Sequence, residues 1–398
     1  MPILSSSALG ARALLRAAAV CGPLFLSACS GHTGGADTSS SGGGSNNNLL
    51  KDSYAVLGPI SGAKVKISDL SGKQLLTGTT AAYDESRDTQ ETGGKRILRS
   101  YADGRQVGQI TVTADSSVKI DPKGLYVIEI DGGIDCDPND DGVIGDGEGA
   151  EGPAFLGSFR AVLPGSSLTA GGVRVNVLTE LAFAGVAAST STDTIIARLN
   201  RLAAYVFKDG AAGDLNGDGK VDYLDFLAYD PTVLTAPGSA APVRAQDAHL
   251  RIAPLLAQLL ALKNGQGNTY LDQLRLGGGV ATSEDFMVAH FGDANKDGLA
   301  NVFEDPQTND TDSDGKVDAV DSDMDGDGIP NDLELKLGLN PWVPDSNGDG
   351  KGDGNEDSDG DGLSNIDEIN KYKTDPTNPD SDGDGIDDGD EVKYGLNP

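Results

Sequence analysis

The 398-residue chain is poor in most of what a catalytic centre or a disulfide-stapled fold is built from. It holds three histidines, three cysteines and one tryptophan, and only 5% of its residues are aromatic. His32, His249 and His290 stand apart, with no HExxH pair, no GxSxG elbow and no phosphate-binding glycine loop anywhere in the chain. No enzyme is expected from such a set. Cys136 lies between Asp135 and Asp137, whose charges raise a thiol pKa, so it reads as a bystander rather than a nucleophile. Bases are also scarce: 30 Lys and Arg against 62 acids leave a net charge of −32. A polyanion of this size is repelled by nucleic acid and by anionic head groups, so the partners it calls for are cations. Long apolar runs are missing too. The stretch 248–263 contains LLAQLLAL but is interrupted by Pro254 and is too short to span a bilayer, which predicts a buried helix.

The first 28 residues say where the chain goes. Arg12 and Arg16 precede the apolar segment 17–26 (AAAVCGPLFL), and Leu26-Ser27-Ala28-Cys29 follows. This LSAC resembles the lipobox of bacterial lipoproteins. The resemblance implies cleavage before Cys29, acylation of Cys29 and, with Ser30 next, sorting to the outer membrane or cell surface. An ordinary secretory signal is the alternative, and it also exports the chain. With Cys21 removed and Cys29 acylated, Cys136 is the one remaining thiol, and no intrachain disulfide can form. Residues 29–48 are a Gly/Ser-rich tether, whose last eighteen residues reach roughly 20–25 Å.

From 49 to 179 the pattern is β: residues 63–67, 109–113, 117–120 and 126–130 alternate apolar with polar between turn residues, which predicts an antiparallel β-sandwich. The stretch GPISGAKVKISDLSGKQLLTGTTA resembles the carboxypeptidase regulatory-like, immunoglobulin-like domains of bacterial surface proteins, which implies a structural role. Residues 180–304 change to a helical period. Thr192 to Val206 places Ile195, Ile196, Leu199, Leu202, Ala203 and Val206 on one face.

What the chain has in excess is acid in register. From Asp293 to the end there are 31 acids and 7 bases, too hydrophilic a composition to bury an apolar core. A calcium loop of the EF-hand type takes side-chain oxygens at positions 1, 3 and 5, glycine at 6, a backbone carbonyl at 7, a water-bridging group at 9 and a carboxylate at 12. That template fits eight times. Loop 1 offers Asp137, Asn139, Asp141, Val143 and Glu148; loop 2, Asp214, Asn216, Asp218, Lys220, Asp222 and Asp225; loop 3, Asp293, Asn295, Asp297, Leu299, Asn301 and Glu304. Loop 4 offers Asp310, Asp312, Asp314, Lys316, Asp318 and Asp321; loop 5, Asp323, Asp325, Asp327, Ile329, Asn331 and Glu334. Loop 6 offers Asp345, Asn347, Asp349, Lys351, Asp353 and Glu356; loop 7, Asp357, Asp359, Asp361, Leu363, Asn365 and Glu368; loop 8, Asp380, Asp382, Asp384, Ile386, Asp388 and Glu391. The position-7 residues lend only their carbonyls. A merely acidic, disordered tail would not keep this spacing. Around loop 5 a second register, starting at Asp321 with Gly326 at position 6, also satisfies the template.

Position 8 divides the loops. Ile144, Val221 and Val317 suit the β bridge of paired EF-hands, whereas Pro330, Gly352, Ser364 and Asp387 do not. The later loops, with LGLNP at 337–341, KTDP at 373–376 and YGLNP at 394–398, resemble thrombospondin type 3 repeats in their bacterial form, over about 305–398. The resemblance implies a running string of calcium ions that organises the chain. The animal repeats are braced by disulfides and this tail has no cysteine, which leaves metal as its staple. Loop 2, followed by FLAYDP, resembles one half of a dockerin. The expected protein is therefore multidomain, with a β-sandwich, a central helical region with EF-hand-like loops and a calcium-organised repeat array at 305–398. It binds up to about eight Ca²⁺ in the millimolar regime of extracellular modules. Its expected role is structural or adhesive at the cell envelope, held to the membrane by a lipid anchor. A non-catalytic accessory module that recruits a surface protein or polysaccharide is the alternative.

Overall fold

In the computed structural model, residues 49–55, 59–83, 107–113, 115–136, 154–186, 190–207, 213–229, 260, 262, 267–277 and 280–398 are described. The lipobox with Cys29, the tether, loop 1 (Asp137, Asn139, Asp141, Val143 and Glu148) and nearly all of 248–263 lie outside them. The chain divides into two compact units, one up to Ser283 and one from Glu284 to Pro398.

The first unit is built on one five-stranded antiparallel sheet, ordered β5-β4-β3-β6-β8. Its strands are β3 (Lys64–Asp69), β4 (Gln74–Thr80), β5 (Ile110–Val112), β6 (Leu125–Asp131) and β8 (Ser158–Pro164). Two short ladders flank it: β1 (Tyr54–Ala55) with β9 (Arg174–Val175), and β2 (Ile60–Ser61) with β7 (Ile134–Asp135). In β3 the alternation works as read, with Val65 and Ile67 buried and Lys64 exposed. Residues 117–120 alternate just as well but form no strand. The Asp115 carboxylate accepts the N–H and hydroxyl of Ser117, and the Asp115 carbonyl accepts Val118 N–H, so a turn takes the segment away from the sheet. β8 has no alternation to read. All five of its inner residues are buried, because β6 pairs along one edge and α2 (Val177–Phe183), other helices and β9 (Arg174–Val175) pack around it.

Helices complete this unit: α1 (Gly165–Ala170), α2, α3 (Thr192–Phe207), α4 (Leu224–Ala228) and α5 (Tyr270–Leu276). α3 buries Ile195, Leu199, Leu202, Ala203 and Val206 of the face expected from its period, while Ile196 is only half-buried. α2 starts on a capping box in which Asn176 and Thr179 exchange hydrogen bonds. Beneath it, the Arg160 guanidinium of β8 pairs with the fully buried Glu180 carboxylate, which also accepts the Ser283 hydroxyl at 2.8 Å.

The second unit contains α6 (Val280–Phe291) from Glu284 onward, loops 3 to 8, α7 (Asn331–Leu337) and α8 (Asp388–Tyr394). Its buried apolar residues are few, chiefly Phe286, Met287, Phe291, Val302, Phe303 and Ile329. Its buried acids are Asp318, Asp321, Asp325, Glu334, Asp353, Glu368, Asp388 and Glu391. Carboxylates are thus as numerous among its buried residues as apolar side chains. Among the described residues, no helix is long and apolar enough to cross a membrane.

Candidate metal centres of the acidic loops

Seven loops, 2 to 8, can be compared position by position, and they are built the same way. In each, Gly at position 6 has φ between +89° and +99°, a left-handed conformation that disfavours a Cβ. This turn aims the Gly N–H at the position-1 carboxylate, and all seven bonds fall between 2.8 and 3.2 Å. The position-7 N–H reaches the position-5 carboxylate at 2.7–3.0 Å in all seven. The position-5 N–H reaches the position-3 oxygen at 2.9–3.3 Å. Side chains 1, 3 and 5 are thereby drawn to one side of the turn.

The pattern decides the register of loop 5. Gly328 N–H reaches Asp323, so Asp323 is position 1, and the alternative starting at Asp321 falls away. Asp321 closes loop 4 instead, buried and 3.5 Å from the Lys316 ammonium. Among the described residues no β bridge involves Val221 or Val317, and Ile144 lies outside them. In loop 2 the buried Asp225 carboxylate accepts N–H groups from Leu215, Asn216 and Asp222, which closes the loop onto the start of α4.

Position 9 has a role the template did not contain. In loops 3 to 8 its Oδ1 accepts the position-2 N–H at 2.8–3.1 Å. Its own N–H donates to the carbonyl just before position 1, at 2.7–3.0 Å. Asn301, Asp318, Asn331, Asp353, Asn365 and Asp388 are therefore clasps that shut their loops. Position 4 was also missed. It is left-handed in all seven loops, five times as glycine and twice as Lys296 and Ser313. The recurrent glycine at 4 was the readable signal.

The phrases LGLNP, KTDP and YGLNP now have a mechanical role. After the Glu at position 12, a short helical turn ends on a left-handed residue, Gly338, Lys373 or Gly395. An N–H five residues after that Glu returns to its carbonyl, from Leu339, Lys373 and Leu396 at 2.7–2.8 Å. Asn340 and Asp375 then hand the chain to the next loop through N–H bonds to the hydroxyls of Ser346 and Ser381. Trp342 meets the ring of Phe291 edge-on at 5.7 Å. His290 is a helix-end residue, buried against Phe291, with its pKa pushed down to about 4 by that burial.

Carboxylate oxygens converge within 4.8 Å of one another in several groups. Asp310, Asp312 and Asp314 form one, Asp323, Asp325 and Asp327 a second, and Asp357, Asp359 and Asp361 a third. Two further groups join different loops: Asp327 and Glu334 of loop 5 with Asp353 of loop 6, and Asp361 and Glu368 of loop 7 with Asp388 of loop 8. Glu334 is fully buried, and neither of its carboxylate oxygens has a hydrogen-bond partner. Glu368 Oε2, Asp388 Oδ2 and Glu391 Oε2 are likewise buried without partners. Burial, followed by the charges of Asp325, Asp327, Asp353 and Asp323, pushes the Glu334 pKa up to about 9. Burial does the same to Asp325, with Asp327 next, and to Glu368, with Asp359 next, each to about 7. Oxygen donors gathered in this way, several of them with no protein hydrogen to satisfy them, fit a hard divalent cation such as Ca²⁺.

Comparison with known families matches residues 357–379 and 380–398, which hold loops 7 and 8, to the family described as Bacterial TSP3 repeat. These two segments are bacterial TSP3 repeats. The repeats are calcium-binding, so the acidic groups and the family agree on the ion. No curated protein and no solved structure matches the chain. Loops 5 and 6 lie outside the matched residues but share the hydrogen-bond frame of the TSP3 repeats position for position.

Proposed function

We propose that this is a calcium-binding, lipid-anchored protein of the cell envelope with a structural or adhesive role. The observation that carries the reading is the buried carboxylate set of the second unit, above all Glu334, whose two oxygens have no protein donor. Such a group is costly unless a cation reaches it. Calcium ligands come from the side-chain oxygens at positions 1, 3, 5 and 12 of the loops and the carbonyl at 7. Export and anchoring rest on the lipobox-like LSAC ending at Cys29, and stand-off from the membrane on the Gly/Ser tether. The immunoglobulin-like reading of 49–179 gives the first unit the role of a spacer or stalk. The scarcity of nucleophile, base and transition-metal sets supports a non-enzymatic role, and the charge argues against nucleic acid as a partner.

Two measurements on the mature chain test this together. Native mass spectrometry in millimolar calcium is expected to find several bound ions, up to about eight. Small-angle scattering is expected to report a smaller radius of gyration in calcium than in chelator. No bound calcium, or identical dimensions in both buffers, overturns the proposal.

A second reading, an accessory module that recruits a surface protein or polysaccharide, draws on two exposed leucines. Leu156 N–H bonds to the Arg275 carbonyl, which sets the 64%-exposed Leu156 beside the 67%-exposed Leu276 on the first unit. Retention of one discrete envelope component by the chain in calcium, lost on Leu156→Asp, would favour that reading.

A further inference from the structure

The six loops of the second unit are not joined alike. Loops 4 and 5, and loops 6 and 7, nearly abut in sequence: Asp321 is followed two residues later by Asp323, and Glu356 directly by Asp357. At these joints position 9 of the later loop is an amide. Asn331 Nδ2 donates to the Asp321 carbonyl and Asn365 Nδ2 to the Asp353 carbonyl, each at 2.8 Å. Neither bond needs a cation.

Loops 5 and 6, and loops 7 and 8, are instead separated by a helical turn and its LGLNP or KTDP phrase. Here position 9 of the later loop is a carboxylate. Asp353 comes back to Asp327 and Glu334, and Asp388 to Asp361 and Glu368, all within ligand-sharing distance. The residue after each acid is a glycine whose N–H donates to the earlier loop's position-5 carboxylate, Gly354 to Asp327 at 3.0 Å and Gly389 to Asp361 at 2.9 Å. The approach is so close that a Cβ at 354 or 389 would stand 2.6 or 2.1 Å from that residue's carbonyl oxygen. Position 10 is glycine in these two loops and in no other of the eight. Glu334 is fully buried with both oxygens unpartnered, and in the second group Glu368 Oε2 and Asp388 Oδ2 are buried oxygens that no protein donor reaches.

We propose that Asp353 and Asp388 are ligands of the calcium site of the loop before their own, so that calcium joins the loops two by two. Loops 5 and 6 (323–356) make one module and loops 7 and 8 (357–391) the next, while Asn331 and Asn365 hold the abutting joints without metal. The inference rests on the calcium-binding reading above and adds which joints the metal controls. Removing calcium opens the joints inside the modules and leaves the amide joints closed.

The test uses the mature full chain with Asp353→Asn and Asp388→Asn, read by calcium calorimetry and by limited proteolysis of the linkers 338–344 and 372–379. In the parent, both linkers are expected to be protected in millimolar calcium and cleaved in chelator. Asp353→Asn is expected to weaken one class of site by about tenfold or more and to expose 338–344 in calcium, with 372–379 still protected. Asp388→Asn gives the converse. Asn365→Ala, which cuts an amide joint, leaves both linkers protected in calcium. A parent that binds no calcium overturns the functional reading and this inference together. A parent that binds calcium, with both aspartate variants titrating and cleaving like it, overturns the pairing alone. Loss of protection at both linkers from either aspartate variant also overturns it, because the modules would then not be separate.

Discussion

Asp327 and Gly354 are 27 residues apart in sequence, yet the Gly354 N–H donates to the Asp327 carboxylate at 3.0 Å, and Gly389 repeats the bond to Asp361 at 2.9 Å. A methyl group at either glycine would meet backbone, which cannot swing aside as a side-chain end can. Gly389→Ala and Gly354→Ala are expected to destabilise the second unit by about 1–3 kcal/mol each. The larger loss should come at 389, where the clash is closer. Urea unfolding in millimolar calcium measures it.

The buried acids set the pH response of the calcium-free protein. Glu334 titrates near 9 in the folded unit and near 4.5 when unfolded, so between those values the folded state holds more protons. Stability is therefore full below about pH 4.5 and falls as the pH rises toward 9; Asp325 and Glu368, raised to about 7, contribute their losses earlier in that window. Melting temperatures in calcium-free buffer should drop from pH 5 to pH 9. Millimolar calcium should reverse the trend, because the ion binds the deprotonated carboxylates.

In the first unit, Glu180 is fully buried, and its pKa is raised by burial despite the opposing pull of Arg160. Arg160→Met removes the cation paired with it and also the guanidinium stacked over Phe183 at 4.6 Å. A loss of about 3–5 kcal/mol is expected in thermal or chemical denaturation. Restoring neutrality with the double variant Arg160→Met, Glu180→Gln should recover part of it.

Asn176 holds three things at once. It accepts Thr179 N–H to cap α2, and its amide donates to the carbonyls of Phe226 and Tyr229 at 3.0 and 2.8 Å, at the end of the loop 2 helix. Asn176→Ala should cost about 2–3 kcal/mol. Hydrogen exchange is expected to quicken in both α2 and residues 224–229, a coupling that a simple cap would not produce.

Ser313 carries a side chain at position 4 of loop 4, at φ +67°, where five sister loops have glycine. Ser313→Gly is expected to raise the stability of the second unit by about 0.5–1 kcal/mol, read as a shift in urea midpoint at constant slope.

These residues also mark what the sequence could tell. The loop turns were legible because acids and glycines repeat at a spacing that composition cannot imitate, and α3 was legible because one face meets a core. Residues 117–120 misled because alternation records a tendency, while the Asp115 turn decided the path. β8 was hidden by being buried on both faces. The second role of position 9 was hidden because a template written for one loop is silent about neighbours. Asp353 and Asn365 look interchangeable there, and only the folded chain separates the acid that reaches another loop from the amide that reaches a carbonyl.

The bonds from Gly at position 6 to the acid at position 1 carry a kinetic consequence. They shape each turn from within the backbone, and the position-9 clasp shuts it. Inside one loop the chain's own hydrogen bonds therefore shape the turn, and what the ion adds is closure between loops. Ion entry into a loop framed in this way is expected to be faster than the closure of the joints that follows it, so calcium uptake should precede compaction.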